Sequence, residues 1–496
     1  MSAGRSARVV TATDCVAVGV VALLVFALHG FDGPLDRDLG VFTYGGEHVA
    51  HGVPPYAAIF NSVGPLSEAL PGLAIWIGAH SGIGPVSAER HLFVVLAAGC
   101  CAVLHLLARD VLGSRAAGFV AAAVLLTFQD FAALASDGPR EKTAMVLLLL
   151  VTLVLLTRRR WAAAGVTTAL ATLTWQPVLA VAVVAAVVAV VGGRIGRVRA
   201  AIAFVAGGAA TTAVFAGWFL ARGDLRTAVE GFVVVNAEYT RQPSLLTEPG
   251  VIRTFLWEAY HASLLLVPIG LVALFVATGC AVRRSLPLVV VGAAGLAATA
   301  WTVAVINGPP DLFVLLPFAA LGVAAAVVAI AARVTRPVGR AVVAAVTLAA
   351  VVAAGTSAVR TRDDSLERER ADVRDVLAAA PAGATVLSIN APEVLALSGR
   401  SNPTPYQVFD RAMDGYLQAN WPGGLHGYAR WIARTRPTLV AFSAGRHQRW
   451  PVRVLRRDYW LAGRGHAWGW YVSRTAGART LAAVSHAIHA ARHRPV

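Results

Sequence analysis

The run EKTAMVLLLLVTLVLLTRRRWAAAGVTTALATLTWQPVLAVAVVAAVVAVVGGRIGRVR, residues 141–199, decides which solvent this chain folds in. Its apolar blocks, 143–157 and 161–191, lie between clusters of basic residues and lack the regularly spaced polar positions of a water-facing helix. A bilayer's hydrocarbon layer is roughly 30 Å thick, which a helix of about 20 residues crosses. The second block is too long for one crossing. Arginine marks both of its ends: Arg158, Arg159 and Arg160 before it, Arg194, Arg197 and Arg199 after it. Basic residues in short loops stay on the cytoplasmic side. The block therefore reads as a hairpin of two spans that turns at Trp175-Gln176-Pro177 on the outer face.

The same pattern extends outward in both directions. Of the 496 residues, 57% are hydrophobic and only 14% charged, whereas about a quarter are charged in a soluble domain. Further apolar blocks lie at about 15–31, 91–108, 116–135, 200–220, 261–281, 286–306, 312–332 and 339–358. Each must be helical, because lipid offers the backbone no hydrogen-bond partners. The expected fold is an all-α polytopic membrane protein with about eleven transmembrane helices. Arg5 and Arg8 place the amino terminus in the cytoplasm, with the first block as an uncleaved anchor. Arg109, Arg115, Arg283, Arg284, Arg333, Arg336 and Arg340 then fall inside, and the carboxyl end emerges outside an inner (plasma) membrane. Residues 65–80, PLSEALPGLAIWIGAH, are short and interrupted by Pro71, which suits an interfacial or re-entrant helix.

The chain divides into a membrane unit, 1–359, with a long outer loop at 32–90; an extracytoplasmic soluble α/β domain, 360–475; and a tail, 476–496. In the soluble domain, Thr385–Ile389 and Thr438–Phe442 read as buried strands, 426–435 as an amphipathic helix and 460–473 as an edge hairpin. The four cysteines lie in apolar blocks and read as small hydrophobes. The net charge of +16 is nearly all arginine, Lys142 being the only lysine. Those arginines flank apolar blocks rather than forming a basic face with interleaved aromatics, so nucleic acid is set aside as a partner.

Charge inside a membrane is costly, and a transporter concentrates it near the midplane on broken helices. These spans are almost free of it. Polar residues gather instead in five outer segments: 32–90, 136–142, the Trp175 turn, 222–260 and 307–311. The first reads GPLDRDLGVFTYGGEHVAHGVPPYAAIFNSVGPLSEAL over 33–70, with Asp36 and Asp38 just past the first span. An acidic residue there, then Gly52-Val53-Pro54-Pro55-Tyr56, Gly64-Pro65-Leu66 and an interfacial helix, resembles the GT-C class of polyprenyl-phosphate-sugar glycosyltransferases. The pattern is most similar to the bacterial membrane proteins likened to dolichyl-phosphate-mannose mannosyltransferases. Ser136–Lys142, Trp175-Gln176-Pro177, Asp311–Pro317 and LALSGRSNPTPY at 395–406 are similar to later segments of such enzymes. The resemblance departs at the last outer loop, where Asp311-Leu312 replaces a frequent His-Tyr, so no donor contact is carried over to that position.

The resemblance implies transfer of a sugar, mannose by analogy, from a polyprenyl phosphate to a hydroxyl on a lipid, glycan or protein acceptor. A general base is then needed, with Asp38 the first choice and Asp36 the second. The leaving group is already a phosphate, so it needs positive charge rather than a second acid; Arg140 and Lys142 are the candidates to hold it. Tyr44 and Tyr56 are candidate sugar-stacking residues, and Asp137, Glu141, Trp175, Gln176, Glu238 and Tyr239 are further substrate contacts, with Arg241 at an acceptor groove. Each has a plainer alternative: solvated loop acids, snorkelling helix-end cations, and interfacial aromatics. His48 and His51, beside Glu47, are the one hint of a divalent-cation site, and no cofactor is otherwise demanded. A lipid-linked-sugar flippase and an envelope scaffold are the competing readings.

Overall fold

The computed structural model describes residues 2–193, 196–240, 245–443, 450–465 and 467–492. Helices occupy every apolar block. α1 (Ser2–His29) leads to α2 (Arg37–Ala50), which Asp36 caps by accepting the Leu39 N–H at 2.9 Å. α3 (Leu66–Ala79) holds Pro71 within it and packs on α2, and α4 (Pro85–Leu112) follows. The expected single span at 116–135 is instead two helices, α5 (Arg115–Leu126) and α6 (Gln129–Asp137), bent by 71°. At the break the Thr127 hydroxyl donates to the Val124 carbonyl at 2.7 Å, and Phe128 turns extended with its ring buried.

α7 (Glu141–Thr157), α8 (Trp161–Thr174) and α9 (Val178–Gly192) include the expected hairpin, turned at Trp175–Pro177. α10 (Arg197–Arg222) and α11 (Leu225–Val229) precede a π-helical segment, Glu230–Tyr239, in the stretch read as an outer loop. α12 (Pro249–Tyr260), α13 (Leu266–Ala281), α14 (Leu286–Ala304), α15 (Leu316–Ala331) and α16 (Arg336–Arg360) complete the membrane unit. Among the described residues, six helical stretches are long and apolar enough to cross a membrane, and the bent pair α5–α6 makes a seventh. α9 and α15 are apolar but shorter. Close helix contact depends on small residues: a Cβ on Gly165 of α8 would meet the Phe204 carbonyl of α10 at 1.9 Å, and one on Gly207 would meet the Ala162 carbonyl at 2.1 Å.

The C-terminal domain contains α17 (Leu366–Ala379), β1 (Val386–Ile389), α18 (Pro392–Ser398), α19 (Arg411–Asn420), α20 (Gly424–Thr435), β2 (Leu439–Phe442), α21 (Trp450–Asp458), β3 (Tyr459–Arg464), β4 (Gly469–Ser473) and α22 (Gly477–Arg492). Its sheet order is β1-β2-β4-β3, with β1 and β2 parallel and the other pairs antiparallel. Both expected buried strands are present. Of the expected edge hairpin only β3 lies at the edge, because Trp470 and Val472 of β4 are fully buried and the strand pairs on both sides. The stretch read as a tail is α22, whose Val484 and Ile488 enter the same core as α17.

This domain clamps α2. Leu35, Leu39 and Phe42 share one apolar core with Leu366, Val394 and Val408, and the Leu35 N–H donates to Glu369 at 2.8 Å. Tyr44 accepts the Asn402 N–H at 3.0 Å. Gly40 lies on α18 so closely that a Cβ would sit 2.6 Å from the Glu393 nitrogen. Gly40→Val should therefore destabilise the junction by about 1–3 kcal/mol, read as a lower unfolding temperature of the protein in detergent. Burial pushes the Glu369 carboxyl up to about 7, against the pull of the Leu35 N–H. An unfolded glutamate titrates near 4.3, so the folded chain retains a proton that the unfolded chain releases between these values. The contribution is complete below the lower value and disappears as pH rises through the upper one. Unfolding temperature should drop between pH 5 and pH 8, and Glu369→Gln should flatten that drop; an unchanged slope would refute the assignment.

Candidate active site

Four segments meet above the membrane helices. The first turn of α2 brings Asp36, Arg37 and Asp38; the 138–142 turn into α7 brings Arg140, Glu141 and Lys142; the 3₁₀ turn Pro309–Val314 brings Asp311; and the α8–α9 hairpin brings Trp175. Arg90 fixes the path of the chain into α2. Its guanidinium is fully buried and donates to the carbonyls of Phe31 and Gly33, the latter at 2.8 Å.

The two expected functional groups do meet. Arg140 Nη1 donates to Asp38 Oδ2 at 3.1 Å across 102 residues of sequence. Arg37 donates to Asp38 Oδ1 at 2.9 and 3.2 Å, so both oxygens of that carboxylate face guanidinium groups. Arg140 Nε lies 3.5 Å from Glu141, and Lys142 Nζ lies 2.7 Å from Glu141 and 3.3 Å from Asp311. Lys142 also sits over the Trp175 ring, 5.6 Å from its centroid. The side chains of Arg140, Lys142 and Glu141 are 7, 9 and 3% exposed, whereas Asp38 is 41% exposed. Asp36, Arg37 and Asp38 are open to solvent yet ringed by protein, so this turn lines a recess rather than an outer surface.

Position decides the protonation of the acidic pair. Burial alone would raise the Asp38 carboxyl, but the Arg140 and Arg37 guanidiniums outweigh it and hold the group well below the usual range. Asp36 goes the other way, raised by burial and then by the neighbouring Asp38 charge, with Arg140 opposing. One of the pair is thus firmly ionised, and the other takes a proton more readily.

Other expected contacts divide. Asp137 flanks the recess, with His29 Nδ1 at 3.7 Å and Gly33 packed against its carboxylate. Glu141 is the shared counter-ion of the two cations. Gln176 ties loops together, donating to the Ser62 and Phe232 carbonyls at 3.0 and 3.2 Å. Tyr44 and Tyr56 are buried, and their hydroxyls hold Asn402 and the Val63 carbonyl, so neither ring offers a free face for sugar stacking. Tyr239 packs edge-on against Tyr416 at 5.8 Å, and Glu238 beside it is exposed. Arg241 lies outside the described residues. His48 and His51 each turn Nδ1 back to a carbonyl four residues earlier, at 3.0 and 2.7 Å, and among the described residues no cluster of three or more His, Cys, Asp or Glu is arranged to hold a metal.

Three participants escaped the sequence reading. Asp311, given no donor contact there, is bonded to Lys142. Arg37, given no role there, donates to Asp38. Tyr260 is fully buried and donates to the Pro309 carbonyl at 3.0 Å, holding the turn that carries Asp311. Only Asp311 left a trace in sequence, as an acid beside Pro309-Pro310 in an otherwise apolar region.

By sequence, no family model and no curated protein matches the chain. By structure, it is similar to ArnT from Cupriavidus metallidurans in the apo state, with a TM-score of 0.62 at 14% identity over 97% of this chain and 99% of that one. The same protein bound to undecaprenyl phosphate gives 0.60 at 12% identity, with the same coverage of both chains. The oligosaccharyltransferase AglB from Archaeoglobus fulgidus, in complex with an inhibitory peptide and a dolichol-phosphate, gives 0.54 at 14% identity over 86% of this chain and 69% of that one. Membrane unit and C-terminal domain together thus share the fold of these solved structures.

Proposed function

We propose that this protein is an integral-membrane glycosyltransferase that moves a sugar from a polyprenyl phosphate to an acceptor hydroxyl at the outer face of the plasma membrane. The observation that carries the proposal is the Asp38–Arg140 pair with Lys142 beside it: a carboxylate and two cations, brought together from distant loops, in a recess above apolar helices. The fold of proteins solved with undecaprenyl phosphate and with a dolichol-phosphate supports the donor class. Mannose is the sugar that the likeness of the outer loops assigns.

In the reaction, the acceptor oxygen forms a bond to the anomeric carbon as the bond from that carbon to the phosphate oxygen breaks. The acceptor's proton passes to a carboxylate, Asp38 first and Asp36 second, and the polyprenyl phosphate departs with the electron pair. Arg140 and Lys142 stabilise the charge that grows on the departing phosphate, which is where fixed cations in a water-poor site act most strongly. In this scheme α7, α8, α9 and α15 also cross the membrane beside the longer helices, giving eleven spans. The amino terminus is cytoplasmic, and the C-terminal domain covers the recess from outside. The acceptor is a lipid, glycan or protein.

The test is transfer of label from a panel of radiolabelled polyprenyl-phosphate sugars by the purified protein in lipid. Asp38→Asn should slow turnover by about 10²- to 10⁴-fold, and transfer at the wild-type rate in both Asp38→Asn and Asp36→Asn would remove the carboxylates from the chemistry. Arg140→Ala and Lys142→Ala should each lower turnover by about 10²-fold or more. If neither changes donor affinity or rate, the phosphate lies elsewhere.

A further inference from the structure

The charges around the proposed phosphate place leave no cation without a partner. Among the described residues, Arg37, Arg140 and Lys142 are ion-paired with Asp38, Glu141 and Asp311, and the carboxyls of Asp36, Asp130 and Asp410 lie close enough to act on the same cations, so acids outnumber bases. A lipid phosphate entering this recess meets cations already paired. An extra anion beside the buried, already paired Arg140 and Lys142 is costly unless one of the resident carboxylates withdraws.

Exposure and attachment show which one can. Glu141 is enclosed between Arg140 and Lys142 at the foot of α7. Asp311 is tied to its own turn, where its Oδ2 accepts the Asn307 N–H at 2.6 Å. Asp38 is the most open of the three, and among the described residues its side chain bonds only to Arg37 and Arg140. Arg37 sits next to it on the same helix turn. Asp38 can therefore let go of Arg140 by side-chain rotation, keep Arg37 as its partner and leave the backbone of α2 in place.

We propose that Asp38 and the donor phosphate compete for Arg140: the phosphate takes the carboxylate's place on that guanidinium, and the displacement frees the carboxylate oxygen that accepts the proton of the incoming hydroxyl. The inference rests on the transferase reading above and adds an order to it, donor before acceptor. The physical gain is in basicity. A carboxylate with a guanidinium on each oxygen is a poor proton acceptor, and loss of one guanidinium to the phosphate makes it a better one, only when a donor is present.

Equilibrium binding of farnesyl phosphate to the full-length protein in detergent tests this, read by the fluorescence of Trp175 beside Lys142 or by calorimetry. Asp38→Asn should bind about tenfold more tightly than wild type, the size expected for a charge-assisted hydrogen bond no longer in competition. Asp38→Ala should move the same way, which separates the effect from any new contact made by the amide. Asp32→Asn, an exposed acid that among the described residues is ion-paired with none of Arg37, Arg140 and Lys142, should leave binding unchanged. Arg140→Ala should bind at least tenfold more weakly, and Asp38→Asn should add nothing in that background. Unchanged or weaker binding by both Asp38 variants, with Arg140→Ala still impaired, would overturn the displacement and leave the transferase reading standing. Tightening that persists without Arg140, or that Asp32→Asn reproduces, would reduce the effect to net charge and also overturn it. Wild-type binding by Arg140→Ala would bring down the phosphate assignment itself.

Discussion

The recess depends on α2 being held on two sides at once. Below it, buried Arg90 grips the carbonyls that lead into its first turn; above it, the C-terminal domain shares its apolar core and lies against Gly40. A short helix with a cap and few turns has little stability of its own in water. Packed between these bodies, it becomes rigid enough to aim two carboxylates at a cation from another loop. The C-terminal domain is therefore part of how the acidic pair is positioned, not an appendage.

Much of this was legible in the chain. Spans are long, apolar and bounded by arginine, so the places of the helices follow from solvent physics alone, and Asp38 and Arg140, expected to lie near one another, are in contact. What the sequence could not disclose were features decided by single local bonds. The span breaks at Thr127–Phe128, where the Thr127 hydroxyl donates to the Val124 carbonyl, and nothing in 116–135 distinguishes that threonine from one that merely faces a neighbour. Tyr44 and Tyr56 looked available because aromatic rings in outer loops often are; tertiary packing enclosed them. The amphipathic pattern of α22 is weak, so its role in covering β3 emerges only when the sheet order is known.

Asp311 is an instructive case. Family comparison directs attention to the residue types that a position usually holds, and an aspartate in place of His-Tyr reads as a loss. Electrostatics asks a different question, namely what charge balance the site needs. With Lys142 buried beside Glu141, a second carboxylate helps to keep the ammonium ionised away from bulk water, and the turn held by Tyr260 supplies it.

The break between α5 and α6 has a consequence for where chemistry happens relative to the bilayer. A straight rod would lift the 138–142 turn clear of the surface by the rise of its last two turns. In the proposed topology the 71° bend folds the outer half aside, so that it lies more nearly flat and keeps the turn that begins α7 low. An amphiphile anchored by a long isoprenoid tail would then reach the basic pair without being pulled upward out of its leaflet, while a water-borne partner descends to meet it from the opposite direction.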